Sequence, residues 1–373
     1  MKKLVHEFVK FSLKSSRRLP LLWQIRNLVH WAPLSKPEDG YTIVIAAMHE
    51  LWPVAAANLR LIAQCDKTDL REVLVVIDQT IDRISEAFSK VIREVESQGL
   101  KVRLLGYSPV QVRVARRIHW GWVYSWLSWC TGISEAKTRW VLLHDLDAMP
   151  IDPGVFHKQF RAAREAQCQF QGIRYYSGNG VFPEMRLATT FEMVLDAEWL
   201  RKEARPIECF NQIRLVGGRY VDFDTLLNVQ QRAPLRSAEP IAESSLVHPT
   251  QLICQYTDLL AGRQQRIESA NRLPVLYYFM HLGDPQFDLT DLGDQLADIH
   301  LANVNFFDCS VNMSRVEPSS WAWMEKQIRR LEQALYTSTR PHVQHFLRGM
   351  IARAGSRRTV GHEPIEAGGV AER

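Results

Sequence analysis

Short apolar runs and helical segments alternate along residues 41–147, and this alternation is the strongest constraint on the fold. The segments that contain these apolar runs are rich in β-branched residues, and they begin at Tyr41, Glu72, Lys101 and Trp140. The segments between them have apolar residues at helical spacing; they cover residues 54–65, 80–96 and 111–136. Strands that alternate with helices of this length are typical of βαβ units and a mainly parallel sheet. The sequence therefore predicts an α/β, Rossmann-like fold.

The fourth apolar run leads into two carboxylates, Asp145 and Asp147, that are separated by one residue. Side chains at positions i and i+2 of a strand point the same way, so both acids are expected at the carboxyl end of this run. Open α/β sheets bind ligands at that edge. Paired carboxylates suit Mg²⁺ or Mn²⁺, and substrate phosphates often complete the coordination of such ions. The alternative is a chance pair of acids on a solvated loop or a helix cap.

This D-x-D motif and the preceding order of strands and helices resemble the nucleotide-binding half of family-2-like glycosyltransferases with the GT-A fold. The resemblance covers residues 41–153 well and residues 154–285 loosely. It implies an inverting glycosyltransferase that moves a sugar from a nucleotide-sugar donor to an acceptor hydroxyl, in the synthesis of a surface glycan or another glycoconjugate. It also implies that Asp145 and Asp147 hold Mn²⁺ or Mg²⁺, and that Asp145 contacts the donor.

The same resemblance implies that the ends of the first two strands grip the nucleoside. The corresponding residues here are Ala46, Ala47, His49 and Asp78. The family often has a Pro-x-Tyr-Asn-like loop after the first strand, whereas this chain has Ala47-Met-His-Glu50, which departs from that pattern. For Asp78, the alternative is an ordinary turn residue at the end of a strand.

A second acidic cluster, with Asp222 and Asp224, lies 75 to 79 residues beyond the D-x-D motif. The resemblance places the catalytic carboxylate there, at the start of a helix. An inverting transfer needs a base that accepts the proton of the attacking hydroxyl, and either aspartate is a candidate. The alternative is helix capping, since aspartate is favoured in the first turn of a helix.

Two histidines are candidates for a third metal or pyrophosphate ligand. His281 ends the apolar run 275–280 and resembles the histidine at a strand end that completes the metal site in several GT-A families. His248 lies closer in sequence to the acidic cluster and is the second choice. For each of them a purely structural role is the alternative.

The acceptor is expected to bind in the half of the domain that follows the motif. Residues 167–183 are predicted to form strands around a Gly/Asn turn, and a helix containing Val194, Leu195 and Trp199 is predicted to follow Thr190. Tyr175, Tyr176 and Trp199 are candidates for stacking on a sugar ring, with packing in the core as the alternative.

Residues 1–30 contain seven bases and one acid, interleaved with large apolar residues. This pattern predicts one or two basic amphipathic helices, which either lie on an anionic membrane surface or pack on the domain. No apolar run reaches the roughly 18–20 residues that span a bilayer. The six cysteines are widely spaced, which favours free thiols in a reducing compartment. A cytoplasmic protein, peripheral at the cytoplasmic membrane face, with a glycan or lipid-linked acceptor is therefore expected.

The predicted organisation has four parts: a basic helical segment (1–36), a GT-A domain (37–310, divided near residue 153), C-terminal helices (311–354) and a disordered tail (355–373). Two other functions compete with sugar transfer. One is a non-catalytic sugar-nucleotide-binding or scaffold protein on the same fold. The other is a haloacid-dehalogenase-like phosphatase, whose nucleophile motif the two D-x-D sequences faintly resemble. A nucleic-acid partner is not expected, because the bases do not cluster on a core helix.

Overall fold

The computed structural model describes residues 2–263 and 271–360. The chain forms two compact units, Met1–Leu246 and Val247–Arg373. The division falls at residue 246, whereas the domain predicted from the sequence to start at residue 37 was expected to end at residue 310. The difference arises because the apolar segment after residue 272 is a helix that packs with the C-terminal helices.

The first unit is built from alternating helices and strands. In chain order, and including β11 at the division, they are α1 (Lys2–Ile25), β1 (Glu38–Ala47), α2 (Trp52–Gln64), β2 (Leu70–Ile77), α3 (Glu86–Ser97), β3 (Val102–Gly106), α4 (Pro109–Ile118), α5 (Gly121–Glu135), β4 (Thr138–His144), β5 (Met149–Pro150), α6 (Val155–Ala166), β6 (Phe170–Gly172), β7 (Met193–Asp196), α7 (Ala197–Glu203), β8 (Gln212–Val216), β9 (Arg219–Phe223), α8 (Leu227–Gln230), β10 (Arg236–Ala238) and β11 (Leu246–Val247).

Seven of these strands form one sheet in the order β10-β6-β7-β4-β1-β2-β3. Strands β3, β2, β1 and β4 are parallel, and β10 is parallel to β6. Strand β7 is antiparallel to both of its neighbours, β4 and β6. The predicted α/β fold with a mainly parallel sheet is confirmed. Because β1, β2 and β4 are parallel, their carboxyl ends meet at one edge.

Both faces of the sheet are covered, and alternate residues of each strand enter different cores. Val44, Val141 and Leu143 belong to the core on the side of α5. A Cβ atom at Gly132 of that helix would lie only 2.2 Å from Cγ1 of Val44, so the glycine permits the close approach of helix and sheet. On the other face Tyr41 stacks on Phe160 of α6, with 4.8 Å between the ring centroids.

Two predicted elements of this unit differ from the structure. The single helix expected over residues 111–136 is two helices, α4 and α5, separated at His119, which has a φ of 47°. The helix expected after Thr190 begins only at Ala197, because Met193–Asp196 is a strand. All four residues of that strand are buried. A strand covered on both faces lacks the alternation of polar and apolar residues that distinguishes it from a helix.

The second unit is mainly helical. Its elements are α9 (Leu252–Leu260), α10 (Leu273–Gly283), α11 (Leu289–Ala297), the hairpin strands β12 (Asn303–Phe306) and β13 (Cys309–Asn312), α12 (Pro318–Tyr336) and α13 (Pro341–Val360). The run before His281 is therefore a helix, and its expectation as a strand was wrong, since a short apolar run has no period to distinguish the two. Helix α13 continues to Val360, so the tail does not start at residue 355. Residues 361–373 lie outside the described residues.

Candidate functional site at the carboxyl edge of the sheet

Asp145 and Asp147 lie at the carboxyl edge of the sheet, immediately after β4. They lie on a turn rather than on the strand itself, and the amide of Ala148 donates to the carbonyl of Asp145 at 3.1 Å. The turn brings one carboxylate oxygen from each aspartate within 4.8 Å of the other. The expected proximity of the two acids is therefore present, although a turn and not strand alternation produces it. Asp147 is buried and Asp145 is half-buried.

A buried amide from α2 holds this turn. Nδ2 of Asn58 donates to the carbonyls of Asp145 (3.4 Å), Leu146 (3.1 Å) and Ala148 (3.0 Å). Oδ1 of Asn58 faces Nε2 of His144 at 3.0 Å. Nδ1 of His144 in turn lies 2.6 Å from Oε1 of Glu192, and both of these side chains are buried. The backbone of the D-x-D turn is therefore fixed by a fully buried polar network.

This network was not predicted from the sequence, although one signal indicated it. Asn58 is a polar residue on a helix whose neighbouring residues are otherwise almost all apolar and buried. His144 likewise ends an apolar strand directly before Asp145. A buried polar residue requires partners, so polar residues at core positions beside a motif are informative.

His49 and Asp78, at the ends of β1 and β2, lie in direct contact. Oδ1 of Asp78 accepts from the His49 backbone amide at 2.8 Å and lies 3.1 Å from Nδ1 of its ring. The amide of Asp78 donates to the carbonyl of Ala47 at 3.2 Å, and Ala46 lies opposite Val76 in the sheet. The four predicted nucleoside contacts thus occupy the ends of two adjacent strands, next to the strand that precedes Asp145.

The hydrogen bond with the Asp78 carboxylate raises the pKa of His49, and the nearby Glu50 carboxylate adds to the effect. Ligand atoms of His49, Glu50 and Asp78 all lie within 4.8 Å of one another. A histidine that is more readily protonated is a hydrogen-bond donor at both nitrogens, which suits an acceptor-rich ligand better than a metal ion.

Asp222 and Asp224 occupy the end of the β8–β9 hairpin and the residues that follow it. Asp222 pairs with Arg18 of α1 at 3.6 Å and accepts from the Tyr220 hydroxyl at 3.2 Å. Its Oδ1 is buried and has no hydrogen-bond partner among the described residues. Oδ1 of Asp224 accepts from the Thr225 amide (2.8 Å) and from Nδ2 of Asn211 (2.9 Å).

Helix capping does not account for this acidic pair. Helix α8 starts at Leu227, after a residue whose side chain makes no capping hydrogen bond. Asp222 is on strand β9, and Oδ1 of Asp224 accepts from the Thr225 amide and from Asn211, both of which lie outside α8. The structure thus corrects the expected position at the start of a helix, and the catalytic role remains a prediction.

The three aromatic candidates for acceptor stacking have different surroundings. Trp199 packs edge-on against Phe170, with 5.6 Å between centroids, at the margin of the core. The hydroxyl of Tyr175 accepts from Arg186 at 2.7 Å. Tyr176 is half-buried, and burial together with the Asp224 carboxylate raises its pKa. Tyr176 is therefore the candidate that lies beside the acidic pair.

The two histidine candidates belong to the second unit. Both ring nitrogens of His281 are engaged there: Nδ1 lies 2.7 Å from the carbonyl of Phe287, and Nε2 lies 3.0 Å from Nε2 of His342. A metal-binding role would require His281 to lose one of these bonds, so we assign it to the core of that unit. His248 follows Ser245 by three residues, and the carbonyl of Ser245 accepts from the amides of Ile151 and Asp152.

No known family profile and no curated protein matches this sequence. Solved structures with a similar fold include the galactosyltransferase LgtC in complex with donor and acceptor sugar analogues (14% identity, TM-score 0.33, 44% of this chain). They also include S. aureus TarS 1–349 in complex with UDP (13% identity, TM-score 0.35). The TarS match covers 86% of this chain and 92% of that one, whereas this chain spans only 60% of the LgtC chain.

A third similar structure is 4-diphosphocytidyl-2C-methyl-D-erythritol synthase from Anaerococcus prevotii, with 14% identity and a TM-score of 0.29 over 44% of this chain and 73% of that one. In this chain, strands β1, β2, β3 and β4 belong to one sheet, and the D-x-D turn follows β4. The chain has an α/β fold with a mainly parallel sheet. Overlaps with TM-scores from 0.29 to 0.35 carry no argument about the activity of this chain.

Proposed function

We propose that this protein is a glycosyltransferase that moves a sugar from a nucleotide-sugar donor to an acceptor hydroxyl, with Mn²⁺ or Mg²⁺ at Asp145 and Asp147. One observation carries the proposal: a buried network fixes two carboxylates within 4.8 Å of each other at the carboxyl edge of the parallel strands. That edge is where open α/β sheets bind nucleotides.

The two aspartates suit a divalent cation in chemistry and spacing. Carboxylate oxygens are the ligands that Mg²⁺ and Mn²⁺ prefer, and a bound ion lies about 2.1 Å from each ligand oxygen. Two oxygens within 4.8 Å of each other can therefore approach one ion with small side-chain rotations. When bound, such an ion would neutralise the negative charge of the departing nucleoside diphosphate.

We further propose that His49 and Asp78 bind the nucleoside part of the donor, and that Ala46 and Ala47 contact it at the end of β1. A protonated His49 offers a hydrogen to an acceptor oxygen of the ligand while Asp78 orients its ring. Small alanine side chains leave room for a flat base close to the backbone.

In the proposed reaction the acceptor oxygen attacks the anomeric carbon as the bond from that carbon to the phosphate oxygen breaks. The nucleoside diphosphate leaves with the bonding electron pair, and Asp222 or Asp224 accepts the hydroxyl proton. Attack from the side opposite the leaving group inverts the anomeric configuration. The half-buried Tyr176 is the proposed acceptor-stacking residue, because it lies beside the acidic pair.

The phosphatase alternative has less support. Its nucleophile motif belongs on the first strand of the fold, but Asp145 follows the fourth strand and Asp222 lies in an antiparallel hairpin. A non-catalytic binding protein on the same fold is distinguished from the proposal by the absence of turnover in the presence of bound donor.

A thermal-shift panel of UDP-, GDP- and dTDP-sugars, with and without Mn²⁺, tests the proposal. A ligand that binds only the folded state raises the melting temperature, so the matching donor should do so in a Mn²⁺-dependent way. Asp145→Asn and Asp147→Asn should each abolish the Mn²⁺-dependent part, and Asp147→Asn is expected to have the larger effect on metal affinity. His248→Ala tests whether this histidine supplies the third ligand.

Asp39→Asn is a matched control, since Asp39 lies at the amino end of β1, on the opposite edge of the sheet, with an exposed side chain. It should respond to donor and Mn²⁺ as the unaltered protein does. If no nucleotide-sugar stabilises the protein, or if both D-x-D variants transfer sugar at the original rate, the proposed function is wrong.

A further inference from the structure

Among the described residues, helix α1 has an inner face that packs on the first unit and an opposite face that is exposed. On the inner face Ile25 and Arg18 are buried. The guanidinium of Arg18 pairs with Asp222, donates to the Asn211 carbonyl at 3.1 Å and lies over the Trp120 ring. The inner face therefore fixes α1 to the first unit by specific polar contacts.

The opposite face of α1 exposes a row of large apolar side chains, which we call the α1 stripe. These side chains are between 49% and 66% exposed, and they belong to Phe8, Val9, Leu13, Leu19 and Trp23. At 100° per residue they fall within an arc about 140° wide, directly opposite Arg18 and Ile25. So much apolar surface concentrated on one helix face marks an interaction site.

Exposed bases flank the α1 stripe. Lys10 and Arg17 are exposed beside one edge of it, and the guanidinium of Arg26 lies over the Trp23 ring at 5.0 Å. Within residues 6–25 the one acid, Glu7, is directed inwards and accepts from the Tyr220 amide at 2.8 Å. The outer face of α1 therefore combines apolar bulk with positive charge and no opposing carboxylate.

We infer that the α1 stripe binds the surface of an anionic phospholipid bilayer, with α1 lying in the plane of the interface. Apolar side chains enter the headgroup region, and the adjacent bases are attracted to acidic lipid. A protein partner would be expected to present acids to these bases, whereas the bilayer offers both negative charge and an apolar layer in one surface. None of the described helices has the length and apolar character needed to cross a membrane.

This inference is independent of the proposed reaction, but it adds a geometric relationship to it. Arg18 connects the inner face of α1 to Asp222, one of the two candidate bases. A bilayer held by the outer face would therefore lie one helix diameter, about 10 Å, from the hairpin that carries this aspartate. A lipid-linked acceptor is the class of acceptor that fits this placement.

Sedimentation of the full chain with vesicles of phosphatidylcholine, with and without phosphatidylserine, tests the inference. We expect binding to the phosphatidylserine vesicles at low salt and release at high salt. Arg17→Ser/Arg26→Ser should weaken binding by about fivefold for each charge removed. Leu13→Ser/Trp23→Ser should weaken it at least about tenfold, since two large apolar side chains no longer enter the interface.

Val110→Ser is the matched control, because Val110 is 56% exposed on α4 and lies outside the α1 stripe. It should bind vesicles as the unaltered protein does, and all variants should keep the original melting temperature. A full chain that stays in the supernatant, or a stripe variant that binds normally, would overturn the inference. The inference would also be overturned if the full chain does not bind vesicles but self-associates, and the stripe variant abolishes this self-association. A second copy of the chain would then be the partner of the α1 stripe. Donor binding, measured in parallel, reports separately on the proposed function.

Discussion

Nδ1 of His144 lies 2.6 Å from Oε1 of Glu192, and neither side chain is exposed to solvent. Asn58 directs its amide nitrogen at backbone carbonyls, so its oxygen faces Nε2 of His144 and requires a hydrogen on that atom. Nδ1 and the Glu192 carboxyl then share one further proton, because a bare nitrogen and a bare carboxylate would repel each other. The pair is therefore neutral overall, which is the form that burial tolerates.

Two substitutions of Glu192 should distinguish the loss of its carboxyl group from the loss of its hydrogen bond to Nδ1 of His144. Glu192→Gln keeps a donor toward Nδ1 and should change stability by less than about 1 kcal/mol. Glu192→Met leaves Nδ1 buried without a partner and should cost about 1–3 kcal/mol. Urea unfolding measures both values. Equal losses in the two variants would contradict the shared-proton arrangement.

Asn58→Leu should loosen the D-x-D turn itself. The variant leaves the carbonyls of Leu146 and Ala148 without their side-chain donor. Its Mn²⁺ affinity should therefore be lower than that of the unaltered protein even at a temperature at which both proteins are fully folded. Calorimetric titration with Mn²⁺ below the melting transition makes the comparison. Asn58→Leu with unchanged Mn²⁺ affinity would show that the turn does not need this support.

The acidic pair is expected to act in turnover and not in donor binding. Asp222→Asn and Asp224→Asn should each bind the donor normally, and the variant that lacks the base should lose about 10²–10⁴ in transfer rate. Initial rates and thermal shifts on the same preparations separate the two effects. Asp222→Asn also weakens the contact with Arg18, so Arg18→Gln serves as its structural control. Normal transfer by both variants would exclude the pair as the base.

The contact between His49 and Asp78 predicts a pH dependence with a definite sign. The pKa of His49 is raised in the folded protein, so its contribution to stability is complete below the unfolded value near 6.5 and is lost as the pH rises through the folded value. Asp78→Asn should therefore destabilise the protein more at pH 6 than at about pH 9. Glu50→Gln, which removes a smaller contribution, should show the same trend more weakly. NMR titration of the His49 ring tests its pKa directly. An unchanged pKa in Asp78→Asn would contradict the proposed effect of Asp78 on His49.

The histidine pair in the second unit predicts the opposite sign. Burial lowers the pKa values of His281 and His342, so their neutral forms stabilise the fold above about pH 6.5, and this contribution is lost as the pH falls. The carbonyl of Phe287 requires a hydrogen on Nδ1 of His281, which leaves its Nε2 to accept from His342. His342→Gln should flatten the loss of stability between pH 7 and pH 5 when unfolding is followed by tryptophan fluorescence. A profile as steep as that of the original chain would mean that other groups govern acid unfolding.

The sequence identified most of the nucleotide half of the fold, because its strands and helices differ in period and are separated by turns. The four strands that begin near Tyr41, Glu72, Lys101 and Trp140 all occur in one parallel sheet. Strand β7 was missed because its residues are buried on both faces, and α10 was missed because it is apolar on all sides. In both cases burial removes the periodic pattern on which the prediction depends.

The candidate site was predictable where residues adjoin in sequence and not where tertiary contacts bring them together. Asp145, Asp147, His49 and Asp78 follow directly from the ends of strands. The support of the D-x-D turn by Asn58 and Glu192 depends on contacts across about 90 and 50 residues of sequence, which no local pattern encodes. Glu192 also has a φ of 47°, a conformation that glutamate seldom adopts and that its surroundings must impose.

The attachment of α1 has a consequence for the order in which the protein folds during synthesis. Its inner-face contacts are with Asn211 and Tyr220, which lie 193 and 213 residues from their partners on the helix. At translation rates of about 5–20 residues per second, α1 waits roughly 10–40 seconds before those residues leave the ribosome. Throughout that interval Arg18 and Glu7 on its inner face lack their partners Asn211 and Tyr220. If the α1 stripe binds lipid as inferred, the outer face can therefore bind the bilayer before Asn211 and Tyr220 complete the contacts of the inner face.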